Sequence, residues 1–85
     1  MHRRHSRGLK ALSRGMIAVG AGDANAARRH AAEAGRLLGR EPLALLLKAQ
    51  AAQIAGDRPA AEDAFRTMLD SDETRVLGLR GLYVE

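Results

Sequence analysis

The sequence predicts an all-α protein built from helical hairpins, and three observations point to this fold class. The dipeptide Gly-Asp occurs at Gly22-Asp23 and again at Gly56-Asp57, and the offset equals the repeat length of a helix-turn-helix solenoid unit, about 34 residues. An Ala-rich apolar stretch precedes each copy. Apolar residues also recur at three- and four-residue spacing, as they do on amphipathic helices. We therefore expect two antiparallel helix pairs and a partial fifth helix, as a fragment of a right-handed α-solenoid.

The first repeat unit is predicted over about residues 8–41, within a single domain over residues 8–85. A basic, flexible lead-in is expected at residues 1–7, where apolar side chains are scarce. The first helix, over residues 8–20, is predicted from an apolar stripe at helical spacing. This stripe consists of Leu9, Leu12, Met16 and Val19.

The Gly-Asp dipeptide is interpreted as the end of one helix and the start of the next. Gly22 can adopt the left-handed conformation that closes a helix, and the carboxylate of Asp23 can accept from the free N–H groups of the following helix. The second helix is therefore expected over residues 24–38, and Gly39 ends it. Its predicted buried residues are Ala27, Ala31, Ala34 and Leu38.

The second repeat unit is predicted over about residues 42–75. Pro42 suits the first turn of a helix, where its missing N–H is not needed, and the segment from there to Ala55 is apolar on nearly every side. Such a helix is buried on two faces, so we expect it to pack on its hairpin partner and on the first unit. Asp57 is expected to cap the fourth helix, whose predicted inward residues are Ala61, Phe65, Met68 and Leu69.

A fifth helix is expected over residues 73–85, as part of a third unit. The chain ends before a third Gly-Asp, which suggests that the sequence belongs to a longer protein. The apolar residues of this helix are Val76, Leu77, Leu79, Leu82 and Tyr83. Since the last helix of a solenoid normally has a polar outer face, we predict that this helix folds back or mediates self-association.

Charge is distributed unevenly along the chain. The net charge is +4, but residues 1–40 hold nine Lys or Arg and two acidic residues, which leaves +7, and the remainder carries −3. A basic amino-terminal part suggests an anionic neighbour, namely phospholipid headgroups, an acidic protein or a nucleic acid. The alternative is a solvated tail followed by an ordinary charged helix face.

Several function classes find no support in the sequence. The chain has no cysteine, which excludes disulfides, thiolate metal sites and a cysteine nucleophile. There is no glycine-rich phosphate loop, and no serine has His and carboxylate partners at useful positions. His30 lies beside Arg28 and Arg29, which disfavours a bound cation. We therefore expect no enzymatic activity, no cofactor and no metal. No apolar run approaches the ~18 residues that cross a bilayer, so the chain as it stands is expected to be soluble.

The repeats resemble tetratricopeptide units. The small residue that lets the paired helices approach is Gly15 in the first unit and Ala49 in the second, while Ala27 and Ala61 occupy the alanine position of the second helix and Phe65 its aromatic position. The first helix of a tetratricopeptide unit usually carries an aromatic residue at one position and a tyrosine at another. In both units of this chain, small or aliphatic residues stand at these positions.

A closer likeness covers nearly all residues from 8 onward. The bacterial HemY family is similar at segments 11–19, 26–31, 45–57 and 73–82. In that family, two transmembrane helices precede a basic juxtamembrane segment and a cytosolic tetratricopeptide array, and the proteins are associated with haem biosynthesis. The resemblance implies that this chain is the start of that array, facing the cytoplasm of a bacterial inner membrane. It also implies that the basic start, His2 to Lys10, lies near an anionic membrane surface, and that haem-pathway enzymes are partners.

The first helix of each hairpin lines the groove of such arrays, so these helices provide the candidate protein-binding residues. They are Leu9, Leu12, Met16, Leu43, Leu46, Leu47, Gln50 and Gln53. This apolar lining suits an amphipathic helix or apolar segment of a partner, although these leucines could equally form the interior of a longer superhelix. A secondary surface for an acidic partner consists of Arg28, Arg29 and Arg36.

The sequence thus predicts a non-catalytic protein-interaction scaffold. One alternative is a tetrapyrrole-binding carrier, and another is binding of an acidic partner or nucleic acid through the Arg-rich second helix. Nucleic acid is not expected, because aromatic residues for base stacking do not accompany these arginines. A structural spacer is the third alternative, which would be favoured if the fifth helix filled the groove.

Overall fold

A computed structural model describes residues 2–83, and these residues form five α-helices joined by short turns. The helices are α1 (His2–Ala21), α2 (Ala24–Leu38), α3 (Pro42–Ile54), α4 (Arg58–Met68) and α5 (Asp72–Tyr83). Each helix packs on the next, and α1 also packs on α3. The prediction of an all-α fold made of helical hairpins is therefore confirmed. The outermost residues of the predicted lead-in and fifth helix, Met1, Val84 and Glu85, lie outside the described residues.

The two Gly-Asp turns have the same geometry, as the sequence predicted. Gly22 and Gly56 both have φ of 74°, the left-handed conformation that glycine adopts without strain. In each copy the aspartate N–H donates at 2.9 Å to the carbonyl oxygen five residues earlier. The carboxylates of Asp23 and Asp57 accept from the N–H three residues later, at 3.1 and 3.2 Å. Each dipeptide thus closes one helix and caps the next.

Helix α1 begins at His2, so the prediction of a flexible lead-in was wrong for the described residues. Two contacts with the end of α2 hold this extension in place. A Cβ on Gly8 would lie 2.6 Å from Leu38 Cδ2, which shows that the two helices approach closely there. The guanidinium of Arg4 donates to the carbonyl oxygen of Arg36 at 2.8 Å. The partners in both contacts are far apart along the chain, so local periodicity did not reveal them.

The core consists of two clusters that meet on α3. The first joins α1, α2 and α3, and the second joins α3, α4 and the end of α5. Leu47 belongs to the first cluster and Ala49 to the second, so the prediction that this helix is buried on two sides is confirmed. Leu38 and Leu69 are only half-buried, although the sequence placed them among the inward residues of α2 and α4.

Helix α5 packs on α4 through its small residues. A Cβ on Gly78 would lie 2.5 Å from the carbonyl oxygen of Phe65, and Gly81 lies against the ring of the same residue. The hydroxyl of Thr74 is buried and donates to the carbonyl oxygen of Met68 at 2.7 Å. Most of the large apolar residues of α5 are exposed, namely Val76, Leu77, Leu79 and Tyr83, whereas Leu82 packs against the second cluster.

Candidate functional site

The outward strip of α3 is the part of this helix that its neighbours cover least, although Leu46 packs against the second cluster. One side of α3 packs on the first hairpin through Ala44, Leu47 and Ala51, and another side packs in the second cluster through Ala49 and Ala52. The residues left on the remaining side are Leu43, Leu46, Gln50, Gln53 and Ile54. Leu43 is 57% exposed and Ile54 is 38% exposed.

Helix α1 presents matching residues at the repeat offset. Leu9 lies one repeat length before Leu43, and Met16 lies one repeat length before Gln50. Leu9 is 48% exposed and Met16 is 40% exposed. Because α1 packs directly on α3, residues at equivalent positions of these helices lie on the same side of the molecule. We call this surface the first-helix face, and it consists of Leu9, Met16, Leu43, Leu46, Gln50, Gln53 and Ile54.

Two of the eight predicted groove residues belong to the core instead. Leu12 is 9% exposed and Leu47 is fully buried, so neither side chain is available to a ligand. Leu47 packs against Gly15, where α3 meets α1. The sequence placed both leucines in the groove because they share the apolar stripe of a first helix. Which part of that stripe is buried depends on how the second hairpin stacks on the first.

Gln50 adds a polar feature to this apolar surface. Its Oε1 is buried and has no hydrogen-bond partner among residues 2–83. An amide oxygen in that situation costs free energy unless a donor reaches it. Gln53, one turn later, is exposed.

A groove of about 640 Å³ runs between α2 and α4 over α3. Its floor is formed by small residues, which are Ala31, Ala32, Gly35, Ala44, Ala51, Ala52, Ala60 and Ala64. Its basic rim consists of Arg28, Arg36, Arg40 and Lys48. The sequence-predicted basic residues Arg28 and Arg36 therefore lie at one groove. Arg29 is exposed on the same helix but does not line it.

The basic rim is only partly neutralised by acidic side chains. Arg28 lies 3.8 Å from a carboxylate oxygen of Asp57, and Arg40 lies 3.1 Å from one of Asp70. Such exposed pairs contribute little to stability. Arg36 and Lys48 have no carboxylate within salt-bridge distance in the part of the chain that the structure describes.

The remaining features offer little to catalysis or metal binding. A second cleft of about 540 Å³ lies between α4 and the end of α5, beside Phe65 and Leu82. It combines Arg58, Glu62 and Tyr83 at its edges without a nucleophile and base in hydrogen-bond contact. Between His2 and Tyr83, no three His, Asp or Glu side chains come close enough together to hold a metal ion. Nor is any helix in this range long and apolar enough to cross a membrane.

Comparison with known proteins identifies the family. A family model described as the HemY protein N-terminus matches residues 1–56. The matched range contains the first hairpin, all of α3 and the second turn glycine, Gly56. No curated protein and no solved structure gives a match to this chain. Since the family model covers well over half of the 85 residues, the chain belongs to the HemY family through that amino-terminal region.

Proposed function

We propose that this chain is a non-catalytic docking scaffold whose first-helix face binds an apolar or amphipathic segment of a partner protein. The observation that carries the proposal is a set of exposed apolar side chains on α1 and α3, of which Leu9 and Leu43 are one repeat length apart. The most exposed of them are Leu9, Met16, Leu43 and Ile54. Exposed apolar side chains grouped on one side of a molecule are typical of an interaction site.

The chemistry of the first-helix face favours a helical or extended apolar segment over a charged ligand. Burial of apolar surface contributes about 25 cal/mol per Å², and amphipathic helices bind such surfaces through anchors three and four residues apart. None of the residues that make up this face is a cation, so recognition of a carboxylate is not supported there.

Membership of the HemY family supports a narrower proposal about the partner. Haem biosynthesis is the process with which this family is associated, so the partners would be enzymes of that pathway. The full-length protein would hold them at the cytoplasmic side of a bacterial inner membrane. Within this arrangement, the hairpins described here would supply a docking surface and no chemistry.

Site-specific photo-crosslinking in the host cell tests the proposal. A photoreactive amino acid would replace Met16 or Leu43 in the full-length protein, and Asp63 on the exposed side of α4 would serve as the control position. We expect the same protein adduct from the two face positions and none from the control. Replacement of the neighbouring residue, Leu9→Asp, should remove that adduct.

Two outcomes would contradict the docking proposal. One is an adduct of equal yield from position 63, and the other is an adduct that persists in the Leu9→Asp protein. Identification of the captured protein by mass spectrometry then tests the narrower proposal. If the captured partner has no role in haem biosynthesis, the docking proposal still stands, but the proposal that the partners are haem-pathway enzymes is wrong.

A tetrapyrrole carrier is the second candidate, and the groove between α2 and α4 favours it. The volume of about 640 Å³ lies within the range of about 300–1,000 Å³ typical of small-molecule sites. Its apolar floor and basic rim match a flat apolar molecule that carries carboxylates. No histidine lines this groove, so such binding would proceed without an axial ligand from the groove itself.

Titration with haemin followed by the Soret band tests this candidate. If the protein is a carrier, haemin should give a saturable shift of the Soret band. This shift should weaken in the double variant Arg36→Gln with Lys48→Gln and persist in the single variant His30→Ala. A shift lost in His30→Ala would instead indicate ligation by that histidine. Absence of a saturable shift would exclude the carrier and leave the docking proposal untouched.

A further inference from the structure

The groove between α2 and α4 has an ion pair at each end. Arg28, near the start of α2, lies 3.8 Å from Asp57, which precedes α4. Arg40, just beyond the end of α2, lies 3.1 Å from Asp70, just beyond the end of α4. The two helices therefore run in the same direction, and the two ion pairs are separated by the length of α4, which is about 16 Å. We call the space between them the second-helix groove.

Positive charge dominates the rim of the second-helix groove. Arg28, Arg36, Arg40 and Lys48 line it and are exposed, whereas Asp57 is the one carboxylate among the described lining residues. Exposed ion pairs are weak, so the carboxylates of a bound molecule can replace the intramolecular partners of Arg28 and Arg40. Arg36 and Lys48 have no such partner to lose in the described part of the chain. The rim therefore complements an acidic ligand.

Gly35 leaves space in this groove that the fold does not need. It lies inside α2 and lines the groove, although glycine inside a helix is destabilising relative to alanine. A Cβ at position 35 would meet nothing within 4 Å, whereas a Cβ on Gly8 or Gly15 would collide with a leucine. Its φ is not positive either. Internal packing and backbone conformation thus give no reason for a glycine here, and its effect is to keep the groove open.

The shape of the groove favours a helix over an extended segment. Its floor is largely alanine, and such small residues let a second backbone approach closely. A helix that packs there at an axis distance of about 8–10 Å covers the apolar floor with one side. Acidic residues at its flanks then reach the cations of the rim. An extended acidic segment would leave much of the apolar floor uncovered.

Other anionic ligands match the second-helix groove less well. Aromatic side chains for base stacking are absent from its described lining residues, which disfavours a single-stranded nucleic acid. Haem carries its two carboxylates on one edge, so it would meet the cations at one end of the groove and leave those at the other end unpaired. A helix with acidic residues along its length can pair with cations at both ends.

We infer that the second-helix groove docks an acidic amphipathic helix of a partner protein. A groove of this length holds about 11 residues of helix, or three turns. The bound side of the partner would carry small or aliphatic residues three and four residues apart, with Glu or Asp on both flanks.

This groove and the first-helix face lie on opposite sides of α3. At about 100° per residue, Lys48 in the groove lies about 160° around α3 from Leu46 and Gln50, which belong to the first-helix face. Both surfaces can therefore be occupied on the same molecule at the same time. The inference goes beyond the docking proposal and does not depend on it.

Fluorescence anisotropy with a labelled synthetic helix tests the inference on the 85-residue chain. The probe has about 18 residues, which is long enough to form a helix, with alanine and leucine on one side and glutamate on both flanks. One control peptide has glutamine in place of glutamate, and another has the composition of the probe in scrambled order. We expect saturable binding of the probe that weakens as salt is raised. The controls should bind at least about tenfold more weakly.

A substitution at position 35 tests the location of the bound helix. Gly35→Leu fills the groove from a position where the fold has room, so it should weaken probe binding at least about tenfold while helix content is retained. Gly20→Leu is the matched control. A Cβ on Gly20 also meets nothing within 4 Å, and this residue does not line the groove. The Gly20→Leu protein should bind like the wild type.

Charge variants test the role of the rim. Arg36→Gln with Lys48→Gln should weaken probe binding by about three- to thirtyfold and reduce its salt dependence. Arg66→Gln with Arg80→Gln removes two exposed cations that do not line the groove, and this protein should bind like the wild type. Circular dichroism should show that all variants retain their helix content.

Several outcomes would overturn the inference. They are no binding of the probe to the folded protein, equal binding of the scrambled peptide, and equal weakening by Gly35→Leu and Gly20→Leu. Weakening by Leu9→Asp as large as by Gly35→Leu would place the probe on the first-helix face instead. Haemin that displaces the probe at a lower concentration than the unlabelled peptide does would overturn the inference in favour of a small-molecule site.

Discussion

Gly15 on α1 lies directly against the side chain of Leu47 on α3, so a Cβ at position 15 would overlap the leucine methyl groups. This contact joins the two hairpins. Leu47 is fully buried, and the same position of Gly15 also faces His30 on α2. Helices α1, α2 and α3, which form the first core cluster, therefore meet at Gly15, which has no side chain. The distance between α1 and α3, and with it the width of the first-helix face, depends on this glycine.

A larger side chain at position 15 should separate the hairpins. Gly15→Val is expected to lower the free energy of unfolding by about 1–3 kcal/mol, because overpacking forces neighbours to shift. Gly20→Val is the matched control on the same helix, since nothing lies within 4 Å of a Cβ there, and its effect should stay within about 0.5 kcal/mol. Urea unfolding followed by circular dichroism gives both values. Equal effects of the two variants would show that the Gly15 contact does not determine hairpin stacking.

The two aspartate caps should contribute similarly to stability. Asp23→Ala and Asp57→Ala each remove a side-chain acceptor 3.1 or 3.2 Å from a free N–H, which typically costs about 1 kcal/mol. Asp63→Ala is the control, because this exposed aspartate lies inside α4. Thermal unfolding should show two similar losses and a smaller change at position 63. A loss at position 63 as large as at the caps would contradict the interpretation of Gly-Asp as a paired stop and start.

The buried hydroxyl of Thr74 should contribute more to stability than an exposed hydroxyl does. It donates to the carbonyl oxygen of Met68 at 2.7 Å at the end of α4. Thr74→Val keeps the volume but leaves that carbonyl without a donor, so we expect a loss of about 1–3 kcal/mol in urea unfolding. Thr67→Val removes an exposed hydroxyl that donates within α4 at 3.2 Å, and it should cost clearly less. Similar losses for both would mean that the Thr74 contact does not anchor α5.

Alanine substitutions of Leu43 and Leu47, one turn apart on α3, should affect different properties of the protein. Loss of Leu47 should lower stability, and loss of Leu43 should weaken partner binding. Leu47→Ala removes a fully buried side chain, and such changes cost about 2–5 kcal/mol. Leu43→Ala should change the free energy of unfolding by no more than about 0.5 kcal/mol, since this residue is 57% exposed. The same substitution should reduce the yield of the crosslinked adduct described above. Chemical unfolding and adduct yield measure the two effects separately. A stable Leu43→Ala protein with an undiminished adduct would remove Leu43 from the docking surface.

Helix α5 is expected to mediate weak self-association. Val76, Leu79 and Tyr83 are spaced by three and four residues and are 67%, 42% and 76% exposed, so they form one apolar stripe on its outer side. Sedimentation velocity should show a concentration-dependent oligomer that disappears in Val76→Glu with Tyr83→Glu. Thr67→Glu, which adds a negative charge on α4, is the control and should leave the oligomer intact. A monomer at the highest accessible concentration would contradict this prediction.

The fifth helix shows where sequence periodicity was insufficient. The sequence identified its large apolar residues but not the side that packs on α4, and Gly78 and Thr74 are the residues that face α4. The reason is close approach: α5 packs against backbone atoms of Phe65 and Met68, so only small side chains fit. Hydrophobic periodicity does not identify a glycine as an interior residue. Local sequence therefore predicted that the helix forms but not the side by which it packs.

The sequence by itself determined the helices and their turns. Left-handed glycines, aspartate caps and apolar periodicity act over a few residues, so Gly22-Asp23 and Gly56-Asp57 could be interpreted without any neighbour. Only the tertiary structure decided which apolar residues are buried, because burial depends on helices that meet from distant parts of the chain. Stacking of α3 on α1 placed Leu47 in the core and left Leu43 exposed, and contacts with α2 hold the start of α1, where the sequence predicted a flexible lead-in.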